Sequence, residues 1–289
     1  MGRKLHGWRK LAGSAWGPPT DPQFYGDLEV DAGSLLDFAD GLRERTGVHV
    51  TMTHLVGRAI AHGLLAVPDV NVRLARGREF PRVGADVFFI VAAAEGQELT
   101  GVKVEGVDEK PVHVLATELQ DRAGRILSGD DVEFGQVKGM MARLPRRLVG
   151  PSIRFAAWLT SDLHLDLPSL GMRREAFGGA MVTSIGMWGI NHAYSPLAAY
   201  YRIPVLVLVG EVVQKPVAVQ GRVVVRPMLP LTATFDHRYV DGFHAARFAH
   251  AVRQYLEDPA AFEPAPVGAG SRRRRAPRQP DAAAPSPAP

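Results

Sequence analysis

Thr234-Phe235-Asp236-His237-Arg238-Tyr239-Val240-Asp241-Gly242 is the stretch on which the reading of this chain turns. An apolar, strand-like run from Leu229 to Phe235 leads into it, and a helix-like run from Gly242 to Leu256 leaves it. The imidazole of His237 therefore falls at the end of a buried strand, four residues before an Asp-Gly turn. A side chain clamped between two packed elements has the fixed orientation that a general base needs. A single histidine near a turn is more often a capping or packing residue, and it is the flanking pattern that favours the catalytic reading here.

Working outward, the same alternation of strand and helix signals recurs. Phe24 to Val30 alternates as a strand, and Asp31 is placed as the N-cap of a helix through Ser34 to Thr46. Thr53 opens a second helix, His54 to Val67, which Pro68 ends. Asn71–Leu74, Arg78–Arg82, Val83–Ala94 and Gly101–Val107 read as strands, followed by a helix over Val112–Leu127. Ala180–Ser184, Pro204–Val213, Val217–Val219, Arg222–Arg226 and Leu229–Phe235 are the later strands. The last helix, Gly242–Leu256, turns Phe243, Ala246, Phe248, Ala249, Val252 and Leu256 inward. Mixed elements without regular βαβ alternation predict an α+β sandwich, a mixed sheet with helices on one face. A helix is also expected over Leu5–Trp16, where apolar residues recur at helical spacing before Gly17-Pro18-Pro19.

One domain is expected over residues 1–262, with a helical insertion at about 134–177. In that insertion Arg143, Arg146, Arg147 and Arg154 interleave with Met140, Met141, Leu144, Leu148, Phe155 and Trp158, which suits a structural insertion packed on the domain or a basic amphipathic flap that meets an anionic ligand, a membrane surface or a partner. Residues 263–289 form a Pro/Ala/Arg-rich tail with Arg272–Arg275, expected to be disordered. The absence of cysteine excludes disulfides, thiolate zinc sites and a cysteine nucleophile, and fits a reducing, cytoplasmic location. His49, His54 and His62 lack ligand spacing, so no metal is expected. There is no Gly-x-Gly-x-x-Gly or Walker run, which argues against NAD or ATP chemistry. The valine-rich run Val205–Val213 is too short to span a bilayer, and the net charge of +4 is modest. Neither nucleic acid nor a membrane is expected as a partner.

Phe235 to Gly242 resembles the signature of the dihydrolipoamide acyltransferase (E2) catalytic domains of 2-oxoacid dehydrogenase complexes. Asp241-Gly242-Phe243-His244-Ala245-Ala246-Arg247-Phe248 is also similar to the matching stretch of chloramphenicol acetyltransferases, which share that fold. Gly178-Gly179-Ala180-Met181-Val182-Thr183-Ser184-Ile185-Gly186 resembles the E2 segment that carries an oxyanion-stabilising hydroxyl. Arg222–Pro230 and Pro68-Asp69-Val70-Asn71 resemble two further E2 stretches, so the likeness runs in patches from Arg9 to Pro259.

The resemblance implies a chloramphenicol acetyltransferase-like sandwich and a CoA-dependent acyltransferase. It would move an acyl group between a dihydrolipoyl thiol and coenzyme A, with the lipoyl group carried by another chain. His237 is the implied general base and Thr183 the implied oxyanion donor, with Ser184 as the alternative should the register shift by one. Asp241 is implied to pair with Arg9 and, with Gly242, to hold the turn after His237; Asp236 is given a surface or secondary role. The chain departs from the E2 pattern at Gln23, where a histidine is usual, and at Glu98–Lys103. No lipoyl or subunit-binding segment fits upstream of Arg9, so a bare catalytic domain is expected. Without an apolar C-terminal anchor beyond Phe262, the expectation is a homotrimer with the site between neighbours and no large cage. A stand-alone acyltransferase on a small hydroxyl or amine compound, or a non-catalytic oligomeric scaffold, are the alternative readings.

Overall fold

A computed structural model describes residues 22–76, 78–93, 98–128, 145–170, 172–197 and 202–264. The expectations for Leu5–Trp16, for Arg9, for residues 134–144 and for the tail beyond residue 264 lie outside the described residues. In chain order the elements are β1 (Gln23–Asp31), α1 (Gly33–Thr46), α2 (Met52–Ala66), β2 (Val72–Ala75), β3 (Arg78–Pro81), β4 (Val87–Ala93), β5 (Glu98–Val104) and α3 (Val112–Leu127). Then come α4 (Arg146–Ala157), β6 (Ala180–Ser184), β7 (Val205–Val209), β8 (Val213–Val219), β9 (Arg222–Asp236), α5 (Gly242–Glu257) and α6 (Pro259–Phe262).

A seven-stranded mixed sheet runs β1-β9-β7-β6-β4-β5, with β8 paired to the first half of β9. Strands β4, β6 and β7 are mutually parallel, whereas β9 is antiparallel to β1, β7 and β8. The β2–β3 hairpin stands apart as its own sheet. Side-chain alternation along the strands sorts the two faces. Phe89, Val182, Val205, Val207, Leu231 and Phe235 face the main core with Leu55, Ile60 and Leu64 of α2, Leu115 of α3 and Phe248 and Tyr255 of α5. Met181 and Leu206 point the other way, into a smaller cluster with Leu197 and Ile203 from the connecting segments. Helices thus cover one face, as the mixed α+β reading requires. Gly57 lets α2 lie close to the sheet, since a Cβ there would sit 2.4 Å from the Phe89 ring.

Several boundaries differ from the sequence reading, each for a local reason. Helix α1 has Ala32, not Asp31, at its N-cap; the Asp31 carboxylate instead accepts the Gly33 N–H at 2.9 Å. Helix α2 is opened by Thr51, because the His54 ring nitrogen accepts the Thr51 N–H at 3.0 Å and closes a capping box in which an imidazole stands where a carboxylate is usual. Phe243, expected inward, is 66% exposed. The valine-rich run yields a fully buried β7 that stops at Val209.

The packed body reaches Glu263, whose side chain is 3% exposed. Its carboxylate accepts from Arg58 Nε at 2.8 Å, from the Tyr255 hydroxyl at 2.6 Å and from the Val112 N–H, at the start of α3, at 2.7 Å. Arg58 also donates to the carbonyls of Val107 and Asp108 at 2.8 and 2.9 Å. One buried carboxylate therefore neutralises a buried guanidinium and satisfies an open helix N-terminus. Burial and this carboxylate push the Tyr255 ionisation well up, so its hydroxyl stays a donor. None of the described helices is long and apolar enough to cross a membrane.

Candidate functional site

Asp236 ends β9, and the turn that follows presents His237. The turn is built by Asp236 itself. Its carbonyl accepts the N–H groups of Tyr239 and Val240 at 2.9 and 3.1 Å. Its carboxylate accepts the Arg238 N–H at 3.0 Å and chelates the Arg238 guanidinium from Nε and Nη2. Of the two roles expected for Asp236, on the surface or secondary to the base, burial at 6% exposure excludes the first, because the β9 pleat turns it to the face opposite Phe235 and the helices. His237 donates its N–H to the Pro22 carbonyl at 2.7 Å, and its ring packs on Phe24 with centroids 5.0 Å apart. Phe24 in turn stacks on Phe235, its register partner across β1 and β9. The imidazole is exposed and, among the described residues, makes no ion pair with a carboxylate. It is thus oriented by backbone and by an aromatic face rather than by an acidic partner.

Asp241 is the N-cap of α5, and its carboxylate accepts the His244 N–H at 3.0 Å. That backbone donor, ahead of the smaller contribution from the His244 ring, holds its pKa below the ordinary carboxylate range. The His244 ring nitrogen Nδ1 lies 2.7 Å from the same oxygen, and Nε2 lies 3.9 Å from Asp69. A Cβ at Gly242 would meet nothing within 4 Å, so crowding does not demand glycine there.

Thr183 and Ser184 close β6. That strand is launched by Gly178, whose φ of +64° and whose would-be Cβ, 2.6 Å from the Asp86 carbonyl oxygen, admit only glycine. The Gly179 N–H then donates to the same carbonyl at 2.9 Å, fixing the register of β6. Thr183 shares the face of Met181, away from the helices, while Ser184 shares that of Val182.

Register places Thr183 beside Leu208, while Val205 lies beside Phe235. His237 is therefore about five residue rows and two strands from Thr183, on the order of 20 Å within one chain. The two belong to opposite ends of the sheet. Gln23, paired in register with Asp236, clamps Leu197 from both ends of its amide, donating to the carbonyl at 2.9 Å and accepting the N–H at 3.0 Å. The sequence marked Gln23 only as a departure. Its role of tying the 190–197 segment to the histidine end of the sheet depends on a partner 174 residues away.

Residues 173–263 match the family model of the 2-oxoacid dehydrogenases acyltransferase (catalytic domain). This stretch contains Thr183, Ser184, His237, Asp241 and Gly242. The chain is 38% identical over 89 residues to the lipoamide acyltransferase component of a branched-chain alpha-keto acid dehydrogenase complex from Pseudomonas putida, covering 31% of this chain and 21% of that protein. It is 44% identical over 145 residues to the dihydrolipoyllysine-residue succinyltransferase component of a 2-oxoglutarate dehydrogenase complex from Pseudomonas aeruginosa, covering 46% and 35%. These matches span about a fifth to a third of the relatives' own length. Among solved structures, a dihydrolipoamide acetyltransferase of Azotobacter vinelandii superposes with a TM-score of 0.61 at 22% identity, covering 84% of each chain. That protein was studied for the role of a serine, a histidine and an asparagine in its catalytic mechanism. The fold of this chain is that of E2 catalytic cores.

Proposed function

We propose that this chain, with an E2-type fold and the acyltransferase catalytic-domain match over residues 173–263, is a CoA-dependent acyltransferase that exchanges an acyl group between a dihydrolipoyl thiol and coenzyme A. The observation that carries the reading is the held imidazole of His237, anchored through its backbone to Pro22 and through its ring to Phe24, inside the matched stretch. In the Azotobacter protein the named histidine and asparagine are four residues apart, the spacing of His237 and Asp241 here.

The chemistry follows from the side chains. A neutral His237 nitrogen takes the proton of the CoA thiol, and the thiolate adds to the thioester carbonyl carbon of the acyl-lipoyl group. A new C–S bond forms, and the carbonyl electrons move onto oxygen, where the Thr183 hydroxyl donates a hydrogen bond. Collapse breaks the bond to the lipoyl sulfur, which recovers its proton from the imidazolium. Asp241, as the cap of α5, is a positioning residue for the turn that presents His237.

Because His237 and Thr183 stand at opposite ends of one sheet, the reaction needs a second copy to bring a threonine to the histidine. This separation supports a homotrimer with the site between protomers, joined in a dehydrogenase complex by a chain that bears the lipoyl group. A cytoplasmic location is part of the proposal, since acyl-CoA is a polar metabolite that does not cross a bilayer unaided. The test is transfer from acyl-CoA to dihydrolipoamide, with a panel of small alcohols and amines as competing acceptors. Transfer to dihydrolipoamide that His237→Ala abolishes is expected. Transfer only to a hydroxyl or amine acceptor, or full activity in His237→Ala, overturns the reading.

A further inference from the structure

We propose that the open cavity between strands β2 and β3, the edge of β5, the end of α3 and the segments 164–170 and 172–176 binds a phosphate ester carrying clustered negative charge. The cavity has a volume of about 1320 Å³, and seven cationic side chains face four carboxylates around it.

The excess charge is built into the wall. Arg73 Nε and Arg82 Nε lie 2.8 and 3.2 Å from the two oxygens of Glu175, and the two arginine side chains are only 8% and 7% exposed. Two buried guanidiniums thus share one carboxylate. Hydrogen bonds to backbone carbonyls also hold them, from Arg73 to Ser161 and from Arg82 to Val72 and Arg202. Carbonyls orient the forks but carry no net charge, so among the described residues this pair of positive charges has one carboxylate, Glu175, in ion-pair contact. An uncompensated buried charge is costly, and the cost falls when an anion from solution approaches. Arg73 is also held over the Phe80 ring at 4.7 Å, which fixes it further.

Across the opening, Arg122 and Arg125 stand three residues apart on α3, one turn of a single helix face. Arg122 is paired with Glu118 at 2.8 Å. Arg125 and Arg174 line the cavity, are exposed, and make no ion pair among the described residues. A cluster of planar guanidiniums, some fixed and some free to close, suits bidentate contact with phosphate oxygens better than a single carboxylate. This inference stands apart from the acyl-transfer reading and needs neither His237 nor Thr183.

The test is calorimetric titration of the full chain with inorganic pyrophosphate at low and at moderate salt. Saturable binding that weakens with salt is expected, and the double variant Arg125→Glu, Arg174→Glu should bind roughly tenfold more weakly or worse. Both sites are exposed, so an unchanged melting temperature is the check that the variant is folded. Absence of saturable binding by the wild-type chain, or equal binding by the folded double variant, overturns the proposal. A competition arm assigns the source while the site stands. Displacement of pyrophosphate by adenosine 3′,5′-bisphosphate points to the nucleotide end of a CoA-type carrier, and persistence of bound pyrophosphate points to a free phosphorylated metabolite.

Discussion

Thr183 and Ser184 are neighbours with similar chemistry, and the pleat separates them. Thr183 lies on the face of Met181, away from the helices, and Ser184 on the face of Val182, toward the main core. If Thr183 donates to the oxyanion, Thr183→Ala lowers kcat by ~10²–10³ with little change in KM, because the donor acts in the transition state. Ser184→Ala should leave kcat within a few-fold of wild type. Steady-state kinetics of the two variants, side by side, checks the assignment, and the reverse ranking would move the donor to Ser184. The histidine motif was legible as sequence because its chemistry is local: a strand end, an imidazole, an Asp-Gly turn. Asp236 was left open between a surface and a secondary role because the choice depends on which side of β9 it occupies. That side is set by the antiparallel partners β1 and β7 and by the segments that cover them, none of which is adjacent in the chain.

At the scale of elements, helix α2 carries the most direct pH dependence. His54 is buried, and burial, with a smaller push from His49, lowers its pKa from 6.5 to about 4. The neutral ring accepts the Thr51 N–H, so the folded helix start disfavours protonation. Above pH 6.5 neither the folded nor the unfolded chain binds this proton, and the full contribution of the cap is present. As pH falls from 6.5 toward 4 the unfolded chain takes up the proton and the folded chain resists it, so stability drops; below about 4 the loss levels off. The span of the shift sets the loss on the order of 3 kcal/mol. Urea unfolding at pH 7 and pH 4.5 should show it, and His54→Gln, which keeps an acceptor, should flatten this part of the profile. Helix α2 itself was readable from its apolar spacing and Pro68, while its start lies two residues and its end one residue earlier than expected. A histidine completing a capping box has no counterpart in the Ser/Thr-x-x-Glu pattern that marks such starts. Likewise the three-residue spacing of Phe243 and Ala246 resembled an inward stripe, but the sheet lies against Phe248, Val252 and Tyr255, leaving Phe243 in solvent.

For the whole molecule, the sheet order brings Gln23 at one end of the described chain against Asp236 near the other, and Glu263 against Arg58 and Val112. Removing residues 265–289 should leave the melting temperature unchanged, whereas truncation after Phe262 strands the Arg58 charge. Loss of one partner of a buried ion pair costs about 3–5 kcal/mol, and thermal melting of the two truncations measures it. The separation of His237 from Thr183 makes a second prediction, for the assembly. Co-expressed His237→Ala and Thr183→Ala protomers, each inactive alone, should recover about a quarter of wild-type activity if each site takes one residue from each of two neighbours in a cyclic trimer. No recovery in a mixed, folded oligomer would mean that the two residues do not share a site. The mixed α+β sandwich could be foreseen from element order, but the opposite-end placement could not, because it needs the parallel pairing of β6 with β7 and the reversal into β9.

The Glu263 carboxylate has a consequence for how the chain is made. Its partners lie 205 and 151 positions earlier, at Arg58 and Val112. On the ribosome, those earlier groups emerge long before the acid that completes them. The guanidinium and the open start of α3 must wait in water, so the α2–α3 corner cannot lock until the stretch that carries Glu263 has left the exit tunnel.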